Sequence, residues 1–218
     1  MPVQEQGTRP SRALPYELHV TAVCVPATQE LNLNFDNTGT AAAVLHVYDR
    51  LHLEALPKRY TVEAGKQLKS TWPLAANNGT YDVWVLGPNG FHRHFTGNAK
   101  TLATADQPNP EVQVCYDVAN GDLMLQLRNT GAGTCSFSVA ANAYFGSAPQ
   151  TLSVAAGAEG TLNWALKDSG YWYDFTVTVS GLKGYTRRFA GRLETGKHSI
   201  SDPVMFGPAV SDQLQIQL

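Results

Sequence analysis

The chain has 218 residues, of which 43% are hydrophobic and 16% charged, and a formal net charge of −2. That supplies apolar material for two small cores and excludes the electrostatic footprint of a nucleic-acid binder, because no long run of lysine or arginine occurs. No stretch approaches the roughly 20 consecutive apolar residues of a membrane-spanning helix, and the first residues lack the basic and apolar regions of a secretory signal, so the sequence as given carries no address.

In chain order, the first strong signal is Leu31-Asn32-Leu33-Asn34-Phe35-Asp36, whose alternation of apolar and polar residues predicts a half-buried strand. It runs into Asn37-Thr38-Gly39, where Asn and Gly tolerate the positive φ of a tight turn. An apolar stretch over residues 43–48 follows, so a hairpin or a sheet-crossing corner is expected. Further strands are predicted over residues 59–62, 67–74, 81–86 and 91–96, with Gly, Pro and Asn between them and no convincing helix. Residues 98–110, with two prolines and little to bury, read as a short stiff linker.

Beyond the linker the sequence repeats. Asn129-Thr130-Gly131 answers Asn37-Thr38-Gly39 after 92 positions (37 to 129), and Gly157, Trp164 and Tyr173-Asp174 answer Gly65, Trp72 and Tyr81-Asp82 at the same spacing. Phe91-His92-Arg93-His94-Phe95-Thr96-Gly97 returns as Tyr185-Thr186-Arg187-Arg188-Phe189-Ala190-Gly191 after 94 (91 to 185), a two-residue insertion. About seven short strands per copy, with turn signals every 8 to 12 residues, predict an all-β fold of two tandem immunoglobulin- or fibronectin-like antiparallel sandwiches. The expected division is residues 1–98, linker 99–110 and residues 111–218, the last including a tail whose Leu214, Ile216 and Leu218 alternate with glutamine as an added edge strand or a mobile end.

Each recurring residue has a structural use. Tyr81 and Tyr173 stand behind glycine turns, where a tyrosine corner ties the hydroxyl to upstream backbone. Asp82 and Asp174 are expected to bond nearby backbone amides. Trp72 and Trp164 sit amid apolar neighbours as core plugs. Cys115 and Cys135 fall in one copy and could pair, whereas Cys24 stands alone in the other; buried free thiols are the alternative, and the compartment stays open.

Chemistry is harder to place. His92 and His94 leave one strand face together, but their counterparts Thr186 and Arg188 are poor ligands, so a solvated face is expected and no metal site. No nucleophile elbow and no phosphate-cradling glycine loop occurs, so neither a catalytic centre nor a cofactor is predicted. Contact remains. With Tyr81 and Tyr173 inward, Trp84 and Trp172 point outward and become candidates for a lipid or partner surface; cover by the linker, the other sandwich or a further domain is the alternative. Arg187 and Arg188 add a pair able to meet phosphate, or a basic pair on a solvated edge strand.

Arg9-Pro10-Ser11-Arg12-Ala13-Leu14-Pro15-Tyr16-Glu17-Leu18 and Arg187-Arg188-Phe189-Ala190-Gly191-Arg192-Leu193-Glu194-Thr195-Gly196 resemble the C-terminal region of bacterial phosphocholine-specific phospholipase C, over residues 4–203. The resemblance implies a secreted enzyme whose catalytic domain, supplying nucleophile and metal-binding carboxylates, precedes this region and carries the secretion signal. Met1 is then an introduced start or an internal residue. The chain is expected to be the non-catalytic part, partnered by that catalytic domain and by a phospholipid surface. A tandem immunoglobulin-like adhesion or carbohydrate-binding module, or a structural spacer, is the competing reading.

Overall fold

A computed structural model of the chain describes residues 7–205. A two-residue strand, β1 (Pro10–Ser11), precedes the first copy. That copy runs through β2 (Leu18–Val25), β3 (Glu30–Asn37), β4 (Ala43–Asp49), β5 (Lys58–Val62), β6 (Lys66–Pro73), β7 (Thr80–Leu86) and β8 (His92–Asn98). The second runs through β9 (Pro110–Asp117), β10 (Asp122–Asn129), β11 (Cys135–Ala143), β12 (Gln150–Val154), β13 (Glu159–Ala165), β14 (Trp172–Val179) and β15 (Thr186–Arg192), and then β16 (Ser199–Ile200) returns to pair with β1. Seven strands per copy is the number the turn spacing predicts. The linker holds one turn of helix, α1 (Ala99–Leu102), absent from the sequence reading. The Asn98 side chain caps it by accepting from the Lys100 and Thr101 amides, and Ala99 and Leu102 bury its inner side. The alternating tail at 211–218 lies outside the described residues.

Alternation places the core. In β2 and β3 every second residue is buried, and Leu31, Leu33 and Phe35 lose all exposure. Trp72 and Trp164 are buried as expected, Trp164 with its ring 4.5 Å from Phe175. The Asn-Thr-Gly corner carries the chain from one sheet to the other, though not by positive φ, which neither glycine adopts. Asn37 is fully buried and donates to the carbonyls of Ala41 at 2.9 Å and Val62 at 3.0 Å, while its own Oδ1 accepts from Gly39 N at 3.1 Å. Asn129 repeats the arrangement with Gly133, Val154 and Gly131. Glycine follows because the incoming chain passes too close for a side chain: a Cβ on Gly39 would stand 2.4 Å from the Pro15 carbonyl oxygen.

Two three-stranded sheets, β2–β3–β6 and β9–β10–β13, face one eight-stranded sheet of order β12-β11-β14-β15-β8-β7-β4-β5. The copies therefore do not hang on the linker alone. β8 pairs antiparallel with β15, Thr96 opposite Thr186 and His92 opposite Ala190, so that one sheet crosses both. Beneath the seam Phe95 and Phe189 meet edge-on at 6.2 Å, and a single apolar cluster continues from the first copy into the second. Two separate cores are what composition suggests. The β8–β15 pairing merges them by placing two inward faces side by side.

Candidate functional site

The seam has an inner and an outer side, set by the period-two alternation of β8 and β15. On the inner side β8 directs Arg93 and β15 directs Arg187 into the core, 0% and 1% exposed. Each reaches into the opposite copy. Arg187 Nη2 donates to the Tyr81 hydroxyl at 2.7 Å and Nη1 to the Thr96 carbonyl at 2.7 Å. Arg93 Nη2 donates to the hydroxyls of Tyr116 at 2.8 Å and Tyr173 at 3.0 Å, and Nη1 to the Ala190 carbonyl at 2.8 Å. Ring faces complete the lining, Phe91 at 4.0 Å from Arg93 and Tyr185 at 4.2 Å from Arg187. Among the described residues no carboxylate bonds either guanidinium. Burial pushes the Tyr81 and Tyr116 hydroxyls up against the opposing pull of the neighbouring cation, so both stay neutral phenols. Two buried cations are thus held by dipoles and π faces, with the Nε of each guanidinium left without a hydrogen-bond partner, so loss of a further partner is costly.

This clasp replaces the expected tyrosine corner: the hydroxyls bond an arginine of the other copy instead of backbone in their own. Gly97 makes room for one of them, since a Cβ there would lie 2.4 Å from the Tyr81 hydroxyl. A signal was available in the sequence. Arg93 and Arg187 recur 94 positions apart (93 to 187), each alternating with aromatic residues on what must be the inward parity of its strand.

On the outer side lie charges that neutralise one another. Asp82 of β7 has His94 Nε2 at 2.6 Å and Arg50 Nη1 at 3.1 Å. Its counterpart Asp174 of β14 accepts from Arg188 Nε at 2.8 Å and Nη2 at 2.5 Å and from Asn142 Nδ2 at 2.7 Å. Both aspartates were expected to bond backbone amides; cations on the adjoining strands and loop take them instead, through cross-strand neighbours. Burial, reinforced by Arg188, lowers the His92 pKa to about 4. His94 is also lowered, by burial first, although Asp82 pulls the other way. Both rings are therefore neutral near pH 7. Among the described residues no hydroxyl or thiol bonds His94, and no three His, Cys, Asp or Glu side chains gather as metal ligands.

The four residues singled out for contact separate into two pairs. Trp84 and Arg188 do stand on the outer face. Trp84 is half-buried, with Arg50 stacked 4.3 Å from its ring and His92 and His94 edge-on at 5.9 Å each, and the Arg188 side chain is 41% exposed. Trp172 is not an exposed indole. It alternates with Tyr173 as expected, but the β1–β16 ribbon and the turn before β8 cover it: Nε1 donates to the Ile200 carbonyl at 3.2 Å, and the ring lies where a Gly90 Cβ would be 3.2 Å away. Arg187 is no phosphate donor on an edge strand, because β15 is a central strand and its guanidinium closes the inner clasp. All three cysteines are free. Burial pushes the Cys24 thiol up to about 11 and Cys135 to about 12.

Fold and face together define a class, a double antiparallel β-sandwich whose recurring residues serve packing and internal hydrogen bonds. The chain belongs to the family described as bacterial phospholipase C, C-terminal domain, whose model matches in two segments, residues 10–98 and 110–192, one per copy. It is 44% identical over 206 residues to a non-hemolytic phospholipase C of Pseudomonas aeruginosa, covering 94% of this chain and 30% of that protein. A non-hemolytic phospholipase C of Burkholderia pseudomallei is 42% identical over 94% of this chain and 29% of its own length, and a hemolytic phospholipase C of Pseudomonas aeruginosa 37% identical over 94% and 30%. The chain thus spans under a third of the length of these relatives. Among solved structures, a human OSCAR ligand-binding domain aligns at 14% identity over 81% of this chain and 97% of that one, with a TM-score of 0.25, too low to carry an argument.

Proposed function

We propose that this chain is the non-catalytic portion of a secreted bacterial phospholipase C, docked on a catalytic domain of the same polypeptide that hydrolyses phosphatidylcholine. In this reading residues 1–98 and 111–218 are its two domains, joined by 99–110, and the outer face of the eight-stranded sheet around Trp84, His92, His94 and Arg188 is the docking face. One observation carries the choice of face: Asp82 and Asp174 already hold their cations and both histidines are neutral, so covering the face desolvates few unpaired charges. A tryptophan and an arginine at the centre of such a patch are the side chains that interfaces favour.

The test is association of this chain with the separately produced catalytic domain, read by calorimetry. A specific complex, weakened at least about tenfold by Trp84→Asp or Arg188→Glu with folding intact, is expected; tenfold corresponds to about 1.4 kcal/mol. Absence of a complex, or variants that bind as the parent does, would remove the reading.

A further inference from the structure

Three leucines crowd the loop between β4 and β5. Leu51 is 39% exposed, Leu53 60% and Leu56 92%, and they are three of the seven large exposed hydrophobic side chains among the described residues, so the apolar surface is concentrated here. The loop is not slack. Leu51 N donates to Asp49 Oδ1 at 3.0 Å, His52 N to the Asp49 carbonyl at 3.1 Å and Ala55 N to the His52 carbonyl at 3.0 Å, while His52 Nε2 lies 2.9 Å from Asn77 Oδ1. Ordered turns therefore hold the leucines outward.

The second copy supplies an internal control. Its equivalent loop, between β11 and β12, carries Tyr144 and Phe145, and both fold down: the Tyr144 hydroxyl donates to Asp202 at 2.9 Å and Phe145 stacks on Phe175 at 5.4 Å. The fold thus allows apolar residues of this loop to be covered, and the first copy leaves them bare.

We propose that the Leu51–Leu53–Leu56 loop is an interfacial anchor that inserts into the headgroup and upper acyl layer of a zwitterionic phospholipid surface, an inference that rests on the reading in Proposed function. Shape favours lipid over protein: a protruding tip with Leu56 nearly bare requires a matching pocket from a protein, whereas a soft interface accepts any convex apolar tip. Charge complementarity agrees. Arg50 is held by Asp82 and Lys58 lies 3.9 Å from the Trp72 ring, so around the loop Asp49 and Glu54 stand with Arg59 and no basic cluster, a mixed set that suits a zwitterionic surface better than a purely anionic one. Position is compatible too. The loop lies at the end of the eight-stranded sheet where β7 begins and β8 ends, and the β1–β16 ribbon lies at the opposite end, where β14 begins and β15 ends. A catalytic domain entering through β1 leaves the leucines free.

The experiment is flotation of the chain with large unilamellar phosphatidylcholine vesicles, comparing the parent with Leu53→Gln/Leu56→Gln at low and physiological salt. The parent should float at both salts and the variant should partition at least about tenfold less, with an unchanged melting temperature because both side chains are exposed. A parent that stays soluble, a variant that floats equally, or binding that needs anionic lipid and disappears with salt would overturn the proposal. So would a variant that still floats but loses the catalytic domain, since the loop's partner would then be protein. Association with the catalytic domain is measured on the same two proteins: a parent that associates without floating sinks only this anchor, a parent that floats without associating sinks only the docking reading, and a variant that loses flotation but keeps association is the expected result.

Discussion

Removing one hydroxyl from the clasp should unsettle both copies together. In Tyr81→Phe the ring stays and the core stays full, but Arg187 loses the hydroxyl it bonds at 2.7 Å and keeps only the carbonyls of Thr96 and Thr186. A net contribution of about 1.5–3 kcal/mol is typical for a hydrogen bond to a charged group. Full burial places Tyr81→Phe in the upper half, about 2–3 kcal/mol. Tyr173→Phe should cost a similar amount, about 2–3 kcal/mol, because Arg93 retains Tyr116 at 2.8 Å but the 2.6 Å bond between the Tyr116 and Tyr173 hydroxyls is lost as well. The assay is urea unfolding followed by tryptophan fluorescence and circular dichroism, with Arg187→Met and the double variant closing a cycle. The bond can be lost only once, so coupling of at least about 1 kcal/mol is expected. Because the eight-stranded sheet and the core cross both copies, one transition should move as a whole. A loss below about 0.5 kcal/mol for Tyr81→Phe, which is the range of an ordinary surface change, would refute the reasoning, as would two transitions of which only the first shifts.

Trp72→Ala and Trp164→Ala should each cost about 3–5 kcal/mol as core truncations, and buried Trp172→Ala should approach them, whereas half-buried Trp84→Ala should cost less than half as much; equal losses at all four would contradict the assignment of faces. Gly39→Ala should destabilise by at least about 2 kcal/mol in denaturant unfolding, because its Cβ would meet the Pro15 carbonyl oxygen at 2.4 Å and backbone cannot step aside as a flexible side chain does. Acid should weaken the fold through His92. Its pKa of about 4 in the folded state lies below the unfolded value of 6.5, so the native state binds fewer protons and stability is lost as pH falls from about 6.5 to 4. The full shift corresponds to about 3 kcal/mol, which solvent screening at this partly exposed ring reduces to about 1–2; His92→Gln should flatten the slope between pH 7 and 5, and an unchanged slope would count against it.

Much of this fold was legible because a repeat reports each constraint twice. Strand number, the core tryptophans and the Asn-Thr-Gly corner follow from alternation and recurrence, which are local. The seam is not local. That β8 pairs with β15 depends on which edges are free once each copy has folded, and alternation within a strand says nothing about its neighbour across the linker. The sequence reading sets Arg187 beside Arg188 as an exposed pair on an edge strand, whereas β8 pairs beside β15 and the parity of Arg187 with Tyr185 and Phe189 turns it inward; Trp172 leaves its strand on the expected side, but the β1–β16 ribbon covers it. The three leucines of the first loop were overlooked because loop residues have no period to read, and only exposure in three dimensions separates Leu56 from Phe145.

Hydrogen exchange on this chain with and without the proposed catalytic-domain partner tests the central claim most directly. Added protection at residues 80–86, 92–98 and 186–192 is the predicted result, because β7, β8 and β15 form the middle of the proposed docking face and their backbone amides should slow when it is covered. Protection confined to β2, β3 and β6 on the opposite layer, or none anywhere, would contradict the account.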